Sequence, residues 1–513
     1  MSTSKRSRRN AAGDRSASGH AARTLGYRRL RHPFEPQRIF SDDEIEHIHE
    51  TSLRVLEELG MRILLPEART ILRRAGARCD KETQTVRLGS DMIESALATA
   101  PRSIRLRAAS SEREQQYELG ALLFSAAGGC PNATDLDRGR RPGSLRDFEE
   151  TIRLQQSFDV IHLLSPSVEP QDIPVHLRHY AMMRAQLTLA DKPMFIFARG
   201  QAQVEESFEM IRVALDLDDA EFTNGVWANT IINTNSPRQI DIPMARGIID
   251  FARAGQMSVI SPFCLAGAMA PITISGALAL QHAEALAGIT LAQVTRPGAP
   301  VSNGGFSSNV NMKSGSPAFG TPEHIKLTIG SGQLARRIGL PWRWGSGAAS
   351  NTADAQGANE TGMGLWASLL GGASMLLHCA GWLEGGLSFG YEKFINDVEA
   401  LQTIAELCRP TPATADDIGF HAMADVQPGG HFFETAHTMS RYRDAFYEPL
   451  VADLSNFGAW TDSGALTATE RAKSVWKSTL DGFTTPRQAG AATERLSGYI
   501  DAHSARGGAQ PEQ

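Results

Sequence analysis

From about residue 120 to residue 410 the chain alternates short apolar segments with segments of helical period. The apolar segments have the length and composition of buried strands, and the segments between them repeat apolar residues every three to four positions. This alternation is typical of parallel α/β folds. The predicted strands are 122–126, 160–164, 194–198, 226–232, 257–261, 300–304, 341–344 and 375–379, and the predicted helices are 146–157, 176–190, 204–217, 243–254, 275–294, 322–338, 355–370 and 391–408.

Eight strands alternating with eight helices predict a (β/α)8 TIM barrel over residues 119–410. Two helix starts are well marked. Ser144 and Asp147 have the spacing of a capping box, and Thr321-Pro322-Glu323 places a cap, a first-turn proline and a first-turn acid in order. A doubly wound open sheet would give the same alternation, but no GxGxxG motif follows a first strand, so we favour the barrel.

The segments outside the barrel have a different character. Residues 1–38 are rich in Arg and Lys and predict a disordered basic tail, and residues 39–118 predict a small α-rich region that begins with a helix over 42–59. Residues 411–500 predict a helical C-terminal extension, and residues 501–513 predict a frayed tail.

Composition excludes several classes of protein. A net charge of -6 argues against nucleic acid as the main partner. The five cysteines are scattered without a CxxC pair, which fits a reducing cytoplasm. No apolar segment follows Arg8-Arg9, so we reject a twin-arginine export signal. Residues 256–283 contain no acid, lysine or arginine, but prolines interrupt them, and we interpret them as a buried strand, a loop and a buried helix. We therefore predict a cytoplasmic protein without a membrane span.

Candidate functional residues follow the predicted strands, because a barrel carries its active site in the loops after them. Polar side chains follow strands four, six and seven, and aromatic residues are concentrated near strands seven and eight. The predicted substrate-binding residues are Asn235, Asn303, Phe306, Trp344, Asn351, Asp354, Gln356, Trp382, Phe389 and Tyr391, and the predicted catalytic residues are Glu384 and His378.

Three kinds of site compete for this set. A metal site would use His378, Glu384 and Asp354, but no paired-histidine spacing supports it. A phosphate site is compatible with the glycine-rich loops, yet no Lys or Arg lies in the loops after strands seven and eight. A pocket for a methylated ammonium group fits best, because aromatic faces and carboxylates both attract such a cation. Each residue taken singly also has a purely structural interpretation. For example, His378 would be a histidine of the core, and Trp344 would fill the interior of the barrel.

Several long motifs resemble the trimethylamine methyltransferase family of corrinoid-dependent methyltransferases, in its branch without pyrrolysine. They are SDDEIEHIHETSLRVLEELG, NTNSPRQID, PFCLAGAMAPITISGALALQHAEALAGI, VSNGGFSSNVNMKSGSPAFGTPE, SNTADAQGANE and HCAGWLEGGLSFGYEKFINDVE. The resemblance implies a (β/α)8 barrel that binds a corrinoid protein and moves a methyl group from an N-methylated amine to Co(I). It also implies that the corrinoid (cobalamin) is supplied by the partner, with no cofactor and no metal held by this chain.

The chemistry of the resemblance selects the substrate. A quaternary ammonium releases a neutral amine when it loses a methyl group, so no proton donor is required. A tertiary amine would need protonation or covalent activation. We therefore expect a small quaternary amine such as a betaine, whose carboxylate would contact Arg199, Arg343 or the Asn233/Asn235 pair.

Two other functions stay open at this point. A barrel that binds a methylated amine without catalysis would act as a sensor or carrier, and a lyase for a small acid would be favoured by a tightly bound metal. We also expect a homo-oligomer.

Overall fold

The computed structural model describes residues 26–512 of the 513-residue chain and has a mixed α/β fold. Residues 1–25 of the predicted basic tail lie outside the described residues. The N-terminal part contains three α-helices and six short strands, which are β1 (Leu30–Arg31), α1 (Asp42–Arg54), β2 (Met61–Ile63), α2 (Pro66–Arg74), β3 (Arg78–Cys79), β4 (Thr85–Arg87), α3 (Ser90–Thr99), β5 (Ser103–Leu106) and β6 (Gln115–Glu118).

The central part contains the predicted alternation of strands and helices. Its elements are β7 (Ala121–Phe124), β8 (Asn132–Thr134), β9 (Arg141–Pro142), α4 (Leu145–Ser157), α5 (Arg178–Leu189), β10 (Met194–Phe195), α6 (Gln201–Leu215), α7 (Asp219–Asn224), β11 (Ala228–Ile232), β12 (Gln239–Ile240), α8 (Ile242–Ala254), β13 (Met257–Ile260), β14 (Leu265–Ala266), α9 (Ile274–Thr295), β15 (Val301–Gly304), β16 (Ser308–Val310), β17 (Pro317–Ala318), α10 (Pro322–Ile338), β18 (Trp342–Gly345), α11 (Ala355–Gly371), β19 (Met375–Leu377), β20 (Trp382–Leu383), β21 (Ser388–Gly390) and α12 (Tyr391–Leu407).

The C-terminal part is helical. It consists of α13 (Ala415–Ile418), α14 (Phe420–Ala424), α15 (Ala436–Met439), α16 (Phe457–Asp462), α17 (Ala468–Asp481) and α18 (Ala489–Ala505). No helix between residues 26 and 512 is long and apolar enough to cross a membrane.

The main sheet is curled and mostly parallel, with the strand order β1-β7-β19-β18-β15-β13-β11-β10. β1 is antiparallel to β7, and each other pair of neighbours is parallel. Seven of the eight predicted strands are confirmed within a few residues, and all eight predicted central helices are present.

The predicted strand over 160–164 does not form a regular strand. It makes an isolated parallel bridge between Leu163 and Ser125, the N–H of His162 donates to the carbonyl of Phe124 (2.9 Å), and the N–H of Leu164 donates to that of Pro193 (3.0 Å). This segment therefore bonds to β7 and to the residue that precedes β10, and these two strands are the end strands of the parallel part of the sheet.

Two terminal predictions are corrected by the structure. Leu30 pairs with Leu122 in the sheet, so ordered chain begins before the predicted boundary at residue 38. The first part of the predicted frayed tail, up to Ala505, belongs to α18. Farther along the chain, the N–H of Glu512 donates to the carbonyl of Arg199 (2.9 Å). Tertiary hydrogen bonds fix both segments, and local composition does not encode such bonds.

A compact apolar core fills the interior of the curled sheet. The hairpin β5–β6 contributes Tyr117, which is fully buried, and its hydroxyl hydrogen-bonds with that of Ser302 on β15. The remaining side chains of this core come from the hairpin and the strands and are Ile104, Leu106, Leu123, Leu163, Met257, Val259, Met375 and Leu377. The hairpin therefore packs against the inside of the sheet rather than beside it.

We predict that Tyr117→Phe lowers the free energy of unfolding by about 1–2 kcal/mol, because the substitution removes a buried hydrogen bond without changing the packed volume. Urea unfolding followed by circular dichroism measures the change. Tyr442→Phe is the control, since Tyr442 is half exposed and a surface substitution changes the stability by less than about 0.5 kcal/mol. Equal effects at the two positions would contradict a stabilising role for the Tyr117 hydroxyl.

Candidate functional site

A cavity of about 530 Å³ lies at the carboxyl ends of the parallel strands, above the interior core. Every strand of the parallel sheet and the 160–164 segment contribute to its wall, directly or through the loop that follows. The lining residues are Gly128, Gly129, Ser165, Pro166, Phe195, Phe197, Ala198, Arg199, Ile231, Asn233, Thr234, Met244, Phe263, Met269, Phe306, Arg343, Leu377, His378, Trp382 and Gly385. The volume is that of a pocket for a small molecule.

Aromatic side chains form one wall of the cavity and centre on Phe306. The ring of Phe306 lies 5.1 Å from that of His378 and 5.9 Å from that of Trp382, and it stacks on Phe263 at 5.8 Å. The rings of His378 and Trp382 are 3.7 Å apart. Three predicted site residues, Phe306, His378 and Trp382, are therefore brought together in this wall.

The loop after β19 reaches the cavity through an unusual backbone path. His378 has a left-handed φ of 59°, and Gly381 has a φ of 84°, at a point where a Cβ atom would lie 2.4 Å from the ring of Phe389. The N–H of Gly381 donates to the carboxylate of Asp397 (2.9 Å), which also pairs with Lys393. A buried ion pair beneath the loop thus holds the segment that carries Trp382.

Lys393 lies in the first turn of α12 and is buried. Its side chain is 1% exposed, and its ammonium donates to Asp397 and to Thr361 (2.8 Å). Tertiary packing of α11 against α12 encloses the pair, which the local sequence does not reveal.

The His378 imidazole is neutral at physiological pH. Burial lowers its pKa well below the usual value, and the nearby charge of Arg343 acts in the same direction. Its Nδ1 atom is buried and has no hydrogen-bond partner within residues 26–512. A neutral ring in this position contributes an aromatic face and a lone pair and is not a donor of a proton to a leaving group.

Arg343 is the buried charge of the cavity. It lies on β18, 2% exposed, and its guanidinium carbon is 5.4 Å from the centre of the Phe306 ring. Nη1 donates to the hydroxyl of Ser261 (2.9 Å) and to the carbonyl of Gly305 (3.2 Å). Burial lowers the pKa of Arg343 to about 9, so the side chain is protonated at neutral pH.

β18 places its two tryptophans away from the cavity. Side chains alternate across a strand, so Trp342 and Trp344 lie on the face opposite to Arg343. The Trp342 Nε1 atom donates to the carbonyl of Gly372 (2.8 Å), and the Trp344 ring stacks near His324 at 6.5 Å. Trp344 and the buried Asn303 on β15 were predicted to bind substrate, and neither lines the cavity.

The predicted residues around α11 and after β11 serve local structure. Asp354 caps α11 by accepting from the N–H of Gly357 (3.0 Å), Gln356 donates to Glu360 (2.8 Å), and Asn351 is exposed. Asn235 exchanges hydrogen bonds with Asp241 (2.9 and 3.1 Å). None of these four residues lines the cavity, and their roles in substrate binding stay predictions.

Phe389 and Tyr391 lie behind the aromatic wall in a buried cluster. The rings of the two residues are 5.4 Å apart, and the Tyr391 hydroxyl donates to Glu150 (2.7 Å) and Asp147 (3.1 Å). The guanidinium of Arg138 lies over the Tyr391 ring at 4.7 Å. The cation that Tyr391 contacts is thus an arginine of the same chain.

Glu384 lies next to Gly385 at the edge of the cavity, and its carboxylate is engaged by Arg140 in three hydrogen bonds of 2.9–3.1 Å. Burial raises the pKa of Glu384, but the hydrogen bonds from Arg140 and Ser388 outweigh this and hold the pKa below its usual value. The charge of Glu384 is therefore already neutralised by a neighbour.

The three residues of the metal alternative, His378, Glu384 and Asp354, are held in separate contacts, and the described residues contain no cluster that would hold a metal.

Several cavity residues were not in the predicted set. They are Phe195, Phe197, Phe263 and Met269, whereas Arg343 was expected only as one of several contacts for a carboxylate. The period-two pattern of β18 was visible in the sequence, but the pattern does not say which face of the strand is the inner one.

Known proteins resemble this chain over most of its length. A model of the trimethylamine methyltransferase (MTTB) family matches residues 5–508. The chain is 33% identical to a glycine betaine methyltransferase of Desulfitobacterium hafniense (strain Y51), covering 87% of this chain and 93% of that relative. It is 28% identical to the trimethylamine methyltransferase MttB of another strain of that organism (DSM 10664 / DCB-2), covering 87% and 90%. The solved monomethylamine methyltransferase of Methanosarcina barkeri aligns over 86% of this chain and 94% of its own, with 11% identity and a TM-score of 0.46.

We predict that Trp382→Ala weakens the binding of tetramethylammonium by about 1–2 kcal/mol, because an aromatic face that contacts a quaternary ammonium contributes on this scale. Trp344→Phe is the matched control and should leave the affinity unchanged, since Trp344 lies on the outer face of β18. Calorimetric titration measures both, and circular dichroism checks the fold. A loss of affinity in Trp344→Phe without a loss in Trp382→Ala would contradict the placement of Trp382 at the cavity and of Trp344 away from it.

Proposed function

Since the chain belongs to the trimethylamine methyltransferase family, we propose that it transfers a methyl group from a small quaternary amine to the Co(I) of a corrinoid protein. The observation that carries the proposal is the small cavity with one aromatic wall and no acidic residue among its described lining residues. Aromatic rings attract a methylated ammonium without requiring a hydrogen bond, which such a cation has no proton to make.

The residues of the cavity match a reaction without proton transfer. When a quaternary ammonium loses a methyl group, the electron pair of the broken C–N bond stays on nitrogen and the leaving group is a neutral tertiary amine. His378 is neutral and no carboxylic acid is among the described lining residues, so neither kind of group supplies a proton to a leaving amine. The task left to the protein is to position one methyl group and exclude water.

The corrinoid supplies a strong cobalt nucleophile that accepts the methyl group. A cavity of about 530 Å³ holds a small amine but not an amine together with a corrin macrocycle, so the residues fit a cofactor that stays on a partner protein and reaches the cavity from its mouth. Gly128, Gly129, Met269 and Gly385 line the cavity, and no described atom outside the adjoining residues lies within 4 Å of the position that a Cβ atom would take at Gly129 or Gly385.

We infer that the curled sheet and the 160–164 segment together form a closed (β/α)8 barrel. The hydrogen bonds of His162 and Leu164 to the chain beside β7 and β10 support this, because they bridge the two ends of the parallel sheet. The closed arrangement would direct all strand ends at one mouth.

The segment 411–466 supports the expected homo-oligomer. It exposes several large apolar side chains, including Phe420, Phe433, Phe446 and Phe457, each more than 70% accessible. A surface of this kind suits a permanent contact with a second copy of the chain. We expect light scattering coupled to gel filtration to give a mass of at least twice 55.5 kDa, and a monomer would contradict this.

The reducing compartment expected from the cysteines is the cytoplasm.

We predict that Arg140→Ala and Glu384→Gln lower the rate of methyl transfer by similar factors, about tenfold, because each breaks the ion pair that positions the loop containing Gly385. Steady-state kinetics measure both, and Arg38→Ala, which breaks an exposed pair with Asp42, is the control. If only Glu384→Gln slows the reaction, the carboxylate acts on the substrate directly and the positioning role is wrong.

The proposed function is tested by incubating the protein with Co(I) cobalamin and one amine at a time. The panel is glycine betaine, proline betaine, carnitine, choline and trimethylamine, and the readout is the loss of the Co(I) absorbance. We expect a quaternary amine to react and trimethylamine to be silent, since neither the neutral His378 nor a carboxylic acid among the described lining residues supplies a proton to its leaving group. Reaction of trimethylamine alone would reject the proposed substrate class.

A further inference from the structure

We infer that residues 508–512 form a strap that positions two loops of the cavity wall, so that the affinity of the cavity depends on a segment outside it. The first loop, residues 165–177, follows the 160–164 segment, and the second loop, residues 196–200, follows β10. The ligand concerned is that of the proposed function, on which this inference rests, but the contacts of the strap are independent of any ligand. The lining residues that the two loops supply are Ser165, Pro166, Phe197, Ala198 and Arg199.

The first half of the strap is bonded to the 165–177 loop and to α6. The N–H of Ala509 donates to the carbonyl of His176 (3.1 Å). The side-chain amide of Gln203 on α6 donates to the carbonyl of Ala509 (2.9 Å) and to that of Val175 (3.1 Å), so it joins the strap to the same loop. Gln203 and Ala509 are both buried. These bonds are therefore shielded from water, and breaking one leaves a buried polar group without a partner.

The second half of the strap is bonded to the 196–200 loop. The N–H of Glu512 donates to the carbonyl of Arg199 (2.9 Å). Gly200 permits this approach, because it has a φ of 126° and a Cβ atom there would lie 2.7 Å from the nitrogen of Glu512. The carboxylate of Glu512 lies 3.7 Å from Nε of Arg246 on α8. The strap thus connects the second loop to α8 as well as to the first loop.

A carboxylate joins the two loops to each other. Glu169 of the first loop accepts hydrogen bonds from Arg199 of the second loop (2.6 and 3.2 Å) and from Arg178 at the start of α5. Burial raises the pKa of Glu169, but the two guanidinium groups outweigh this and hold the pKa below its usual value, so the bridge is charged at neutral pH. A displacement of one loop is therefore transmitted to the other.

The second loop carries part of the aromatic lining. The guanidinium carbon of Arg199 lies 4.6 Å from the centre of the Phe197 ring, and the rings of Phe195 and Phe197 are 5.1 Å apart. All three residues line the cavity. A loop that is ordered only when a ligand binds lowers the affinity by the cost of ordering it, and a loop fixed in advance avoids this cost. The strap therefore raises the affinity by holding these side chains in place before the ligand enters.

The first test removes the strap and requires no ligand. A protein truncated after Gly507 keeps the whole of α18, and hydrogen–deuterium exchange read by mass spectrometry compares it with the full chain. We expect faster exchange in peptides from both loops, because their anchors are lost, and unchanged exchange in peptides from β15 and α10. Equal exchange of the two loops in both proteins would overturn the inference.

The second test measures the effect on the cavity by calorimetric titration with glycine betaine. Truncation after Gly507 should weaken binding about 10-fold at an unchanged stoichiometry, because the ligand must then order the loops. A segment needed only for folding would instead lower the stoichiometry at an unchanged Kd, and this result would overturn the inference. Binding of no quaternary amine to the full chain would reject the proposed function, and the exchange measurement would still decide whether the strap positions the loops.

The third test loosens the strap in the full-length chain. Gln203→Leu removes both bonds from α6, and we expect glycine betaine to bind about threefold more weakly and the 165–177 loop to exchange faster. Gln201→Leu is the matched control on the same helix, because Gln201 donates to the neighbouring Glu205 (2.8 Å), and it should change neither quantity. Equal effects of the two substitutions would assign them to α6 itself and overturn the role of the strap.

Discussion

The apolar core inside the curled sheet is the constraint on which the site depends. The β5–β6 hairpin fills this interior, and Tyr117 bonds to Ser302 at its centre. Leu377 belongs both to this core and to the lining of the cavity, so the core is also the floor of the site. A filled interior leaves space only at the carboxyl ends of the strands, and this is why residues far apart in the sequence meet there.

The chemistry of the cavity follows from the absence of acidic residues among its described lining residues. Aromatic rings, a neutral histidine and Arg343, which forms no ion pair within residues 26–512, surround it, and no acid is among the described lining residues. Acidic residues near the site are already paired: Glu384 with Arg140, and Glu169 with Arg199. Such a site positions a methylated nitrogen without supplying a proton, and this suits a substrate whose leaving group is neutral when it departs.

The sequence predicted the helices well because their ends are marked locally. Ser144 and Thr321 cap α4 and α10 as their spacing predicts, since a cap depends on residues three positions apart. The small strands β8 and β20 were missed, because strands this short form only through contacts made in the folded chain. The 160–164 segment was predicted as a strand on its apolar composition, and it makes only part of the pairing.

Only some of the predicted site residues line the cavity, and the reasons for their positions differ. Phe306, His378 and Trp382 were found because loops after strands carry function in this kind of fold. Trp344 lies on the face of its strand opposite to Arg343, and a one-residue change of register exchanges the two faces. The ring of Tyr391 contacts Arg138, which is 253 positions away in the chain, and its predicted role in substrate binding stays a prediction. Such pairings depend on tertiary structure, and local sequence does not encode them.

Arg343 connects the stability of the protein to the charge of its cavity. An enclosed, unpaired guanidinium makes the folded protein less stable than an apolar residue of similar volume would, because the charge has left water without gaining a counter-charge. The hydroxyl of Ser261 and the carbonyl of Gly305 offset part of this cost. The cavity therefore carries a positive charge at a cost in stability that these two hydrogen bonds to neutral groups do not remove.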